Sequence, residues 1–472
     1  MKGNIIGRKA EKELFKDIYS SNTSEFVAIY GRRRVGKTYL VRETFFGQFT
    51  FEISGLENAS TQEHLLNFSL TLNKLTSENL KTPSNWLEAF RQLIDFIQKS
   101  QSKRKVLFFD EMPWMDTPRS GFLTALEHFW NSWASARKDI ILIVCGSATS
   151  WIINNLINNH GGLHNRLTHT IHLKPFTLSE CEQYFKWRKI DFSRYKIAEL
   201  YMVMGGIPYY LSKIEKGQSV AQNIDKLFFI ENAALKNEFR NLYAALFRNS
   251  DDYVKIVEVL SRKAKGLTRN EISSLAKITG GGGLTKALQN LEYCGFIRKY
   301  HSVNKKTRNV LYQLIDSYSL FYFKFIQKNE DNDEHFWTIS LDTPLYHAWT
   351  GYAFEMVVLQ HATEIKQALS IAGIQSSVSG WRSETSKPAA QIDLVIKRKD
   401  GIINVVEIKY NRRKFTITKD YEENLQNKIA TFKAETHSQN AVHLVMLTAS
   451  GVKKNKYSEI AQKELTIDAL FN

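Results

Sequence analysis

Two glycines, a lysine and a threonine near the N-terminus have the types and spacing of a loop that binds phosphate groups. They lie in residues 26–42, FVAIYGRRRVGKTYLVR, where an apolar strand-like run meets Gly31 and the sequence Gly36-Lys37-Thr38 opens a helix-like segment. Glycines let backbone N–H groups point at an anion, the lysine reaches the terminal phosphates, and the threonine hydroxyl is a magnesium ligand. The pattern predicts a site for ATP and Mg²⁺ formed by Gly31, Val35, Gly36, Lys37, Thr38 and Tyr39.

An acidic pair follows a second apolar run in residues 105–114, KVLFFDEMPW. Four consecutive apolar residues are typical of a central parallel strand that is covered on both faces. Asp110 and Glu111 then lie at the carboxyl end of that strand, where ligands bind in open α/β sheets. We expect Asp110 to hold magnesium and Glu111 to orient the attacking water. Alternatively, the pair caps the next helix.

A third strand candidate, residues 140–145, ends in Gly146-Ser147. In this kind of sheet, a polar side chain at that point lies between the acidic strand and the phosphate-binding strand. Ser147 is therefore the candidate for a residue that senses the nucleotide and orients the water. A small residue in a turn explains the same position equally well.

Two carboxylates and a lysine recur near the C-terminus in an arrangement suited to phosphodiester hydrolysis. Asp393 lies in AQIDLVIKR, and Glu407 and Lys409 lie in INVVEIKY, with the turn RKDG at residues 398–401 between them. An Asp-Gly turn between two apolar runs predicts a hairpin, and strand alternation puts Glu407 and Lys409 on one face. Pairing would bring Asp393 to that face, and Glu355 would join from a helix.

This constellation predicts a magnesium site with Glu355, Asp393 and Glu407 as ligands and with Glu407 and Lys409 in catalytic roles. Magnesium would activate water and neutralise the leaving phosphate, and the lysine would position or deprotonate that water. The alternative is an inert scaffold on which Glu407 and Lys409 form a solvated pair.

Residues 252–314 have the pattern of three helices followed by two short strands. Thr268 and Glu271 form a capping signal for the second helix, and the third helix carries one apolar stripe. This order predicts a winged helix-turn-helix. Its third helix would present Thr285, Lys286, Gln289 and Asn290 to a DNA groove, and its basic turn would contact phosphate through Lys305, Lys306 and Arg308. Alternatively, such a module packs on its own chain and never touches DNA.

Composition narrows the class of protein. The chain has 472 residues and a formal net charge of +16, so we expect about three domains and a polyanionic partner such as DNA. No apolar run approaches the ~20 residues of a membrane helix. The lack of such a run favours no membrane association. The three cysteines, Cys145, Cys181 and Cys294, have no metal-ligand spacing, which favours a reducing cytoplasm.

Five motifs in order give the chain a family resemblance that covers most of its length. They are Ile6-Gly7-Arg8 with Glu11, GRRRVGKT, DEMPW, the GSA after the third strand, and MGGIPYYL at residues 204–211. Together they resemble the archaeal-type ATPases of the AAA+/STAND branch of P-loop proteins. The resemblance implies that Arg8 lies near the nucleotide base and that Pro208 belongs to a helical lid over the nucleotide. The lid segment lacks the sensor arginine that AAA+ lids often carry.

The same resemblance draws attention to Arg166 in LHNRLTHTIHL. In AAA+ proteins, an arginine at this point reaches the γ-phosphate bound by a neighbouring subunit and stabilises charge that develops in the transition state. That role would imply a homo-oligomer formed through the ATPase domains. A surface arginine in a loop rich in histidine and asparagine is the alternative.

The C-terminal constellation resembles the PD-(D/E)xK nuclease superfamily. The usual proline before the aspartate is absent, and Gln391-Ile392 stands there instead. Tyr421 and Gln426, on a following helix, are further candidates for contact with the site.

The sequence therefore predicts a multidomain α/β protein with a P-loop NTPase parallel sheet, a helical lid, a winged helix and a restriction-endonuclease-like C-terminal domain. We expect these at residues 1–175, 176–245, 246–328 and 329–472, with the last boundary at the acidic segment 329–334. The sequence predicts a protein that binds and hydrolyses ATP and that binds nucleic acid, with metal-dependent cleavage by the C-terminal domain as a further expectation. The alternative is an ATP-dependent switch whose inert nuclease-like scaffold recruits DNA or a protein.

Overall fold

A computed structural model describes residues 5–159, 161–247, 249–301, 310–329, 333–383 and 390–472. The chain divides into two compact units, Met1–Pro175 and Phe176–Asn472. The finer boundaries at 245/246 and 328/329 remain predictions.

The first unit alternates strands with helices. Short 3₁₀ turns occur at Met112–Trp114 and Ala134–Ala136, and a π turn occurs at Ile153–Ile157. The elements in chain order are α1 (Lys9–Ser20), β1 (Glu25–Tyr30), α2 (Lys37–Thr44), β2 (Phe49–Ser54), α3 (Thr61–Thr76), α4 (Trp86–Lys99), β3 (Lys105–Asp110), α5 (Phe122–Ser132), β4 (Ile140–Gly146), α6 (Thr149–Ile152) and β5 (His169–His172).

The strands of this unit form a parallel sheet in the order β2-β3-β4-β1-β5. Strands β3 and β4 are buried along their whole length and β1 is buried up to Tyr30, because helices cover both faces of a parallel sheet. The apolar runs in the sequence correspond to these central strands. Strand β4 lies between β3 and β1, so the residues that follow all three strands meet at one edge of the sheet.

The second unit begins with a helical segment. The backbones of Phe176 and Gly206 lie close together in this segment, where the Phe176 N–H donates to the Gly206 carbonyl at 2.7 Å. A Cβ on Gly206 would lie 1.9 Å from the Phe176 carbonyl oxygen. Only glycine fits at that position. The helices are α7 (Leu178–Trp187), α8 (Arg194–Met204), α9 (Pro208–Leu211), α10 (Val220–Phe228) and α11 (Glu238–Leu246).

Three helices and a small antiparallel sheet follow. The sheet has the order β6-β8-β7 in the described residues. Thr268 and Glu271 form the predicted capping box, and the predicted helices and two strands are present together with a third strand that the sequence did not indicate. The elements are α12 (Ser250–Ser261), β6 (Leu267–Thr268), α13 (Arg269–Ala276), α14 (Gly282–Tyr293), β7 (Ile297–His301) and β8 (Val310–Leu314).

One outward residue predicted on α14 is wrong. Thr285, Lys286 and Gln289 are exposed, but Asn290 is buried and its amide nitrogen donates to the Tyr253 hydroxyl at 2.8 Å. The apolar stripe of α14 is wide enough to bring Asn290 against α12, where a buried amide needs a hydrogen-bond partner. The predicted basic turn with Lys305, Lys306 and Arg308 lies outside the described residues.

The rest of the second unit surrounds a mixed sheet in the order β13-β12-β11-β10-β9. Strands β9, β10 and β11 are antiparallel neighbours, and β11, β12 and β13 are parallel. The predicted hairpin at residues 398–401 is confirmed, and most of the predicted acidic break, residues 330–332, lies outside the described residues. The elements are α15 (Ser317–Phe321), α16 (Phe336–Ser340), α17 (Pro344–Gln360), α18 (Ala362–Ala368), β9 (Ser376–Arg382), β10 (Gln391–Arg398), β11 (Ile402–Lys409), α19 (Lys419–Thr436), β12 (Ala441–Thr448) and β13 (Lys463–Thr466).

Candidate nucleotide site and C-terminal carboxylate cluster

The loop between β1 and α2 depends on two glycines. Gly31 has φ 144°, and a Cβ there would lie 2.3 Å from the Leu173 carbonyl oxygen. Gly36 has φ 90° and is the N-cap of α2. These conformations belong to glycine, and they turn the backbone so that the free N–H groups of the α2 N-terminus face the loop. The result is a site for an anion.

Lys37 is buried at the first position of α2 and its ammonium group lies inside the loop. Its Nζ donates to the Gly31 carbonyl at 2.9 Å, to the Arg32 carbonyl at 3.0 Å and to the Ser147 hydroxyl at 3.3 Å. The carbonyl contacts satisfy a buried cation without an anionic partner. A phosphate group is the stronger acceptor for such an ammonium, because hydrogen bonds between charged groups are about twice as strong as neutral ones.

Thr38 and Asp110 meet at the same edge of the sheet. The Thr38 hydroxyl lies 3.1 Å and 3.0 Å from the two Asp110 carboxylate oxygens and donates to them. Burial, and next the neighbouring Glu111 carboxylate, raise the pKa of Asp110 above its ordinary value. A buried carboxylate and a hydroxyl side by side are the oxygen donors that Mg²⁺ prefers, so these two residues fit the implied magnesium ion.

Glu111 adopts a left-handed backbone conformation, φ 44°, directly after β3. Its two carboxylate oxygens accept hydrogen bonds from Ser147, one from the backbone N–H at 2.8 Å and one from the hydroxyl at 2.5 Å. A non-glycine residue in this region is strained and persists only where its surroundings hold it. The hydrogen bonds from Ser147 help to keep Glu111 in this conformation and fix the direction of its carboxylate.

Arg8 touches the phosphate-binding loop from outside. It is the N-cap of α1 with φ 52°, and its Nη2 donates to the Val35 carbonyl at 3.2 Å. Arg8 also lies 4.0 Å from Glu11, and its side chain is buried. Thus Arg8 contacts the loop at Val35 and Glu11 lies beside Arg8, whereas Tyr39 on α2 is half exposed.

Arg166 and Pro208 were also predicted at the nucleotide. Arg166 is exposed in the loop that precedes β5 in the first unit. Pro208 is the first residue of α9 in the second unit, directly after the Gly205-Gly206 turn. Their roles at the nucleotide remain predictions.

A second group of titratable residues gathers on the C-terminal sheet. Glu407 on β11 is buried, and its carboxylate accepts hydrogen bonds from Lys428 Nζ at 3.0 and 3.1 Å and from the Tyr421 hydroxyl at 2.6 Å. Lys409 Nζ lies 3.2 Å from Glu407 Oε1, as the predicted strand alternation requires. Burial alone would raise the pKa of Glu407, but Lys409 and Lys428 lower it below its ordinary value.

Asp393 and Glu355 complete this group. Burial, followed by repulsion from Glu407, raises the pKa of Asp393, which also accepts a hydrogen bond from Gln391 at 2.7 Å. Burial, followed by repulsion from Asp393, raises the pKa of Glu355 to about 8. The predicted carboxylates and lysine therefore interact electrostatically. We call the following residues the C-terminal cluster: Glu355, Asp393, Glu407, Lys409, Tyr421 and Lys428.

The cluster has the carboxylate oxygens that a hard cation such as Mg²⁺ binds, but in this structure they are not arranged to hold one. Within the described ranges, no group of three His, Cys, Asp or Glu side chains is placed to hold a metal ion. The Glu407 carboxylate is instead paired with Lys409 and Lys428. Magnesium fits the donor chemistry of Glu355 and Asp393, and at Glu407 it would compete with two ammonium groups.

Lys428 is the residue that sequence reasoning missed in this cluster. The predicted helix candidate Gln426 is exposed instead, and Tyr421 makes the predicted contact. A usable signal was present, because Tyr421, Leu425 and Lys428 follow the i, i+4, i+7 spacing of one helical face. Leu425 is buried on that face, so Lys428 had to point toward the sheet.

The sheet order, the loop and the paired acidic and hydroxyl groups define an α/β domain of the P-loop NTPase type. Residues 6–214 match the family described as an ATPase domain predominantly from Archaea, which makes this stretch an archaeal-type ATPase domain.

A protein of Methanocaldococcus jannaschii, named only as uncharacterized, is similar to most of the chain. It is 23% identical over 375 residues, which cover 77% of this chain and 78% of that protein. Among solved structures, the Walker-type ATPase PABY2304 of Pyrococcus abyssi aligns with a TM-score of 0.49 and 18% identity, covering 68% of this chain and 96% of its own. The Aeropyrum pernix ORC2 protein aligns with a TM-score of 0.41 and 13% identity, covering 76% and 96%.

Crossing a membrane requires a helix of about 20 mostly apolar residues. Within the described ranges, none of the helices combines that length and apolar composition.

Proposed function

We propose that the chain binds ATP with magnesium at the loop between β1 and α2 and hydrolyses it. The observation that carries this proposal is the continuous set of contacts from Lys37 through Ser147 to Glu111, beside the Thr38–Asp110 pair. These groups supply the parts that ATP hydrolysis requires: a cation for the phosphates, magnesium ligands and a fixed carboxylate next to them.

In the proposed reaction, the residues of this site have different roles. Lys37 exchanges its carbonyl partners for phosphate oxygens, and Thr38 with Asp110 holds magnesium, which neutralises developing negative charge when bound. Glu111 orients a water molecule and accepts its proton as the oxygen attacks the γ-phosphorus and the bond to the bridging oxygen breaks. Ser147 keeps the Glu111 carboxylate in place.

The test of this activity is steady-state ATP turnover with magnesium by the full chain. Lys37→Ala should abolish nucleotide binding and turnover, and Glu111→Gln should retain binding but lose turnover by about 100-fold or more. Lys74→Ala, a change at an exposed lysine of α3, is the matched control. Turnover by Lys37→Ala at the control rate would overturn the proposal.

We also propose that Arg166 completes the ATP site of a neighbouring copy of the chain, while Arg8 and Pro208 border the nucleotide. The support is the resemblance to AAA+ ATPases and the exposure of Arg166 beside β5. Arg166→Ala and Lys37→Ala should each be inactive alone. Mixing them should restore turnover, because Lys37→Ala subunits still supply Arg166. If mixing restores nothing while both variants form oligomers, the role in trans is wrong.

For the second unit, we propose that residues 246–328 contain a winged helix and that the C-terminal cluster belongs to a PD-(D/E)xK-like domain. This domain would bind and cleave nucleic acid, and DNA is the first substrate to test. The formal net charge of +16 and the convergence of the predicted acidic residues with Lys409 support this proposal. The three cysteines are buried and none of them is in a disulfide, which suits the reducing cytoplasm in which a nucleic-acid partner is found.

Cleavage of labelled single- and double-stranded DNA and RNA with magnesium or manganese, with and without ATP, tests the nuclease. Lys409→Ala should abolish cleavage. Binding should weaken as salt rises, because phosphate contacts release counterions. An ATP requirement would show that the two sites are coupled.

A second candidate function follows from the pairing of Glu407 with Lys409 and Lys428. If that pairing is permanent, the C-terminal domain is a scaffold, and the chain is an ATP-dependent switch that recruits DNA or a protein. Absence of cleavage on every substrate, together with ATP turnover that Lys37→Ala abolishes, would favour this switch.

A further inference from the structure

A cavity of about 260 Å³ lies inside the second unit and leads to the C-terminal cluster. Two members of that cluster, Glu355 on α17 and Asp393 on β10, line it. Its other walls come from the small antiparallel sheet and from β9. The cavity therefore joins the segment proposed as a winged helix to the segment proposed as a nuclease.

The wall from the small sheet is held in place by hydrogen bonds. The Tyr300 hydroxyl on β7 donates to the Lys265 carbonyl at 2.6 Å, and the Tyr352 hydroxyl on α17 donates to the Ala264 carbonyl at 3.4 Å. A Cβ on Gly380 of β9 would lie 3.9 Å from the Tyr300 ring, so the strands pack closely there. The cavity is thus a formed feature with aromatic walls.

Arg298 on β7 is the fixed cation of this cavity. Its Nε donates to the Gln313 side chain at 2.6 Å, and its guanidinium carbon lies 4.7 Å from the centre of the Tyr300 ring. These contacts orient the planar guanidinium before any ligand arrives. Arginine keeps its charge at any physiological pH and binds phosphate oxygens in pairs, so a pre-oriented arginine is suited to phosphate.

Two further cations, Lys265 and Arg382, stand at the exposed side of the cavity. In the part of the chain that the structure describes, neither they nor Arg298 forms an ion pair. Burial, and next the nearby Arg382, lower the pKa of Lys265, whereas Asp393 and Glu355 raise it, so the carboxylates only partly offset the repulsion between the two cations. An anionic ligand would relieve this repulsion. The carboxylates at the other end would repel the same anion unless a cation accompanied it.

We propose that this cavity receives one terminal nucleotide of a single-stranded polynucleotide, with Arg298 gripping its phosphate and with Glu355 and Asp393 at the far end. The inference rests on the proposed nucleic-acid function and adds the form of the substrate. A volume of about 260 Å³ is slightly below the ~300–1,000 Å³ of sites for drug-sized ligands, so it holds a group of nucleotide size and excludes a duplex. Aromatic walls with a cationic groove are the usual means of holding single strands.

The experiment measures binding of the full chain, with calcium in place of magnesium to prevent cleavage, to three labelled DNAs of one sequence: a linear single strand, a circular single strand and a blunt duplex. Wild type should bind the linear single strand most tightly, since only it offers an end that enters the cavity. Arg298→Gln should weaken that binding by about 10-fold or more, the size expected for a charged hydrogen bond.

Lys299→Gln is the matched control, because Lys299 is the exposed neighbour of Arg298 on β7 and points to the opposite face. It should change binding by less than about twofold if the contact is local. Arg382→Gln, at an exposed position, should also weaken binding and leave folding intact. Agreement of Arg298→Gln and Arg382→Gln excludes misfolding as the cause.

The outcomes separate this inference from the proposed function. Equal binding of the duplex and the linear single strand, or equal effects of Arg298→Gln and Lys299→Gln, would overturn the cavity proposal and leave nucleic-acid binding in place. No binding of any DNA by wild type, with RNA of the same sequence also unbound, would overturn both.

Discussion

The Ser147 hydroxyl lies 2.5 Å from Glu111 Oε1, while the Ser147 backbone N–H donates to Glu111 Oε2 at 2.8 Å. One residue therefore holds both oxygens of the carboxylate. The same hydroxyl accepts a hydrogen bond from Lys37 at 3.3 Å, so the lysine of the phosphate-binding loop and the acid after β3 share one neighbour. A movement of Lys37 toward a phosphate would therefore change the hydrogen bonds that Ser147 makes to Glu111.

Ser147→Ala should lower kcat for ATP by about 10-fold or more and leave the nucleotide affinity within about twofold. Alanine removes the hydroxyl contacts but keeps the backbone N–H, so Glu111 loses part of its orientation while the phosphate loop remains intact; misplacement of a catalytic group is costly in rate. Steady-state turnover and equilibrium binding of a fluorescent ATP analogue measure the two quantities separately. Ser132→Ala, at an exposed serine of α5, is the control.

If Ser147 acts through Glu111, the two substitutions cannot be additive. Adding Ser147→Ala to Glu111→Gln should reduce turnover by much less than it does in the wild-type background, because the group that Ser147 positions is already disabled. Full additivity would show that Ser147 acts on the nucleotide directly.

Asp110→Asn should raise the stability of the free protein and abolish magnesium-dependent turnover. Burial raises the pKa of Asp110, so ionisation of this carboxyl destabilises the folded state, and stability is lost as pH rises through the folded-state pKa. Asparagine removes that loss and still accepts a hydrogen bond from Thr38. Thermal unfolding at pH 7 with and without magnesium gives the comparison. A lower melting temperature for the variant would show that the ionised carboxylate stabilises the fold.

The phosphate-binding loop, the acidic pair and the C-terminal hairpin were predictable because each depends on neighbours in sequence. Gly31 and Gly36 set the loop within six residues, and the strand alternation that joins Glu407 to Lys409 spans only two. Such features follow from local backbone geometry. The position of Ser147, after β4, between the acidic strand β3 and the phosphate-binding strand β1 was predicted from the class of sheet rather than from a local pattern, and it agrees with the strand order.

What could not be predicted depends on packing between elements that are distant in sequence. Asn290 was expected to face outward, but its partner Tyr253 lies 37 residues earlier on α12. Lys428 reaches Glu407 across 21 residues. The cavity near Arg298 likewise arises only where β7 approaches β9. Helical periodicity identifies the face of a helix that packs inward, but it does not identify the distant residue that this face contacts.

Lys428→Met should destabilise the second unit by about 1–3 kcal/mol at pH 7. It leaves the buried Glu407 carboxylate with Lys409 and Tyr421 alone, and loss of one partner from a buried ion pair costs up to ~3–5 kcal/mol when no other partner remains. Chemical denaturation of the full chain measures the difference. Lys433→Met, one turn further along α19 at an exposed position, should have little effect.

The loss in Lys428→Met should also depend on pH in a defined direction. The lysines lower the pKa of Glu407 below its ordinary value of 4.5, so their stabilisation is present above that value and disappears as pH falls through the folded-state pKa. Wild type and variant should therefore converge in stability as pH falls below 4.5 and through the folded-state pKa of Glu407. A difference that stays constant as pH falls through that pKa would mean that Lys428 stabilises the unit through packing of its aliphatic chain.

Glu355→Gln should stabilise the second unit more at alkaline than at acidic pH. The carboxyl loses its proton near 4.5 in an unfolded chain, whereas burial and then Asp393 raise its pKa in the folded state to about 8. Between these values the folded state binds a proton that the unfolded state has released, so stability falls as pH rises through this window. Glutamine cannot ionise, so the variant does not lose stability as pH rises through this window. The charged groups around it are Asp393, Glu407, Lys409, Lys428 and Lys265.

Calorimetry at pH 5 and at pH 8.5 tests this directly. The gain in melting temperature from Glu355→Gln should be larger at pH 8.5 by several degrees, since one pKa unit corresponds to about 1.4 kcal/mol and 1 kcal/mol moves Tm by roughly 2–4 °C in domains of about 150–250 residues. Glu423→Gln, at an exposed position of α19, should show the same small change at both pH values. A gain independent of pH would mean that Glu355 is ionised in both states, and that Lys409 and Lys428 neutralise the whole cluster rather than Glu407 alone.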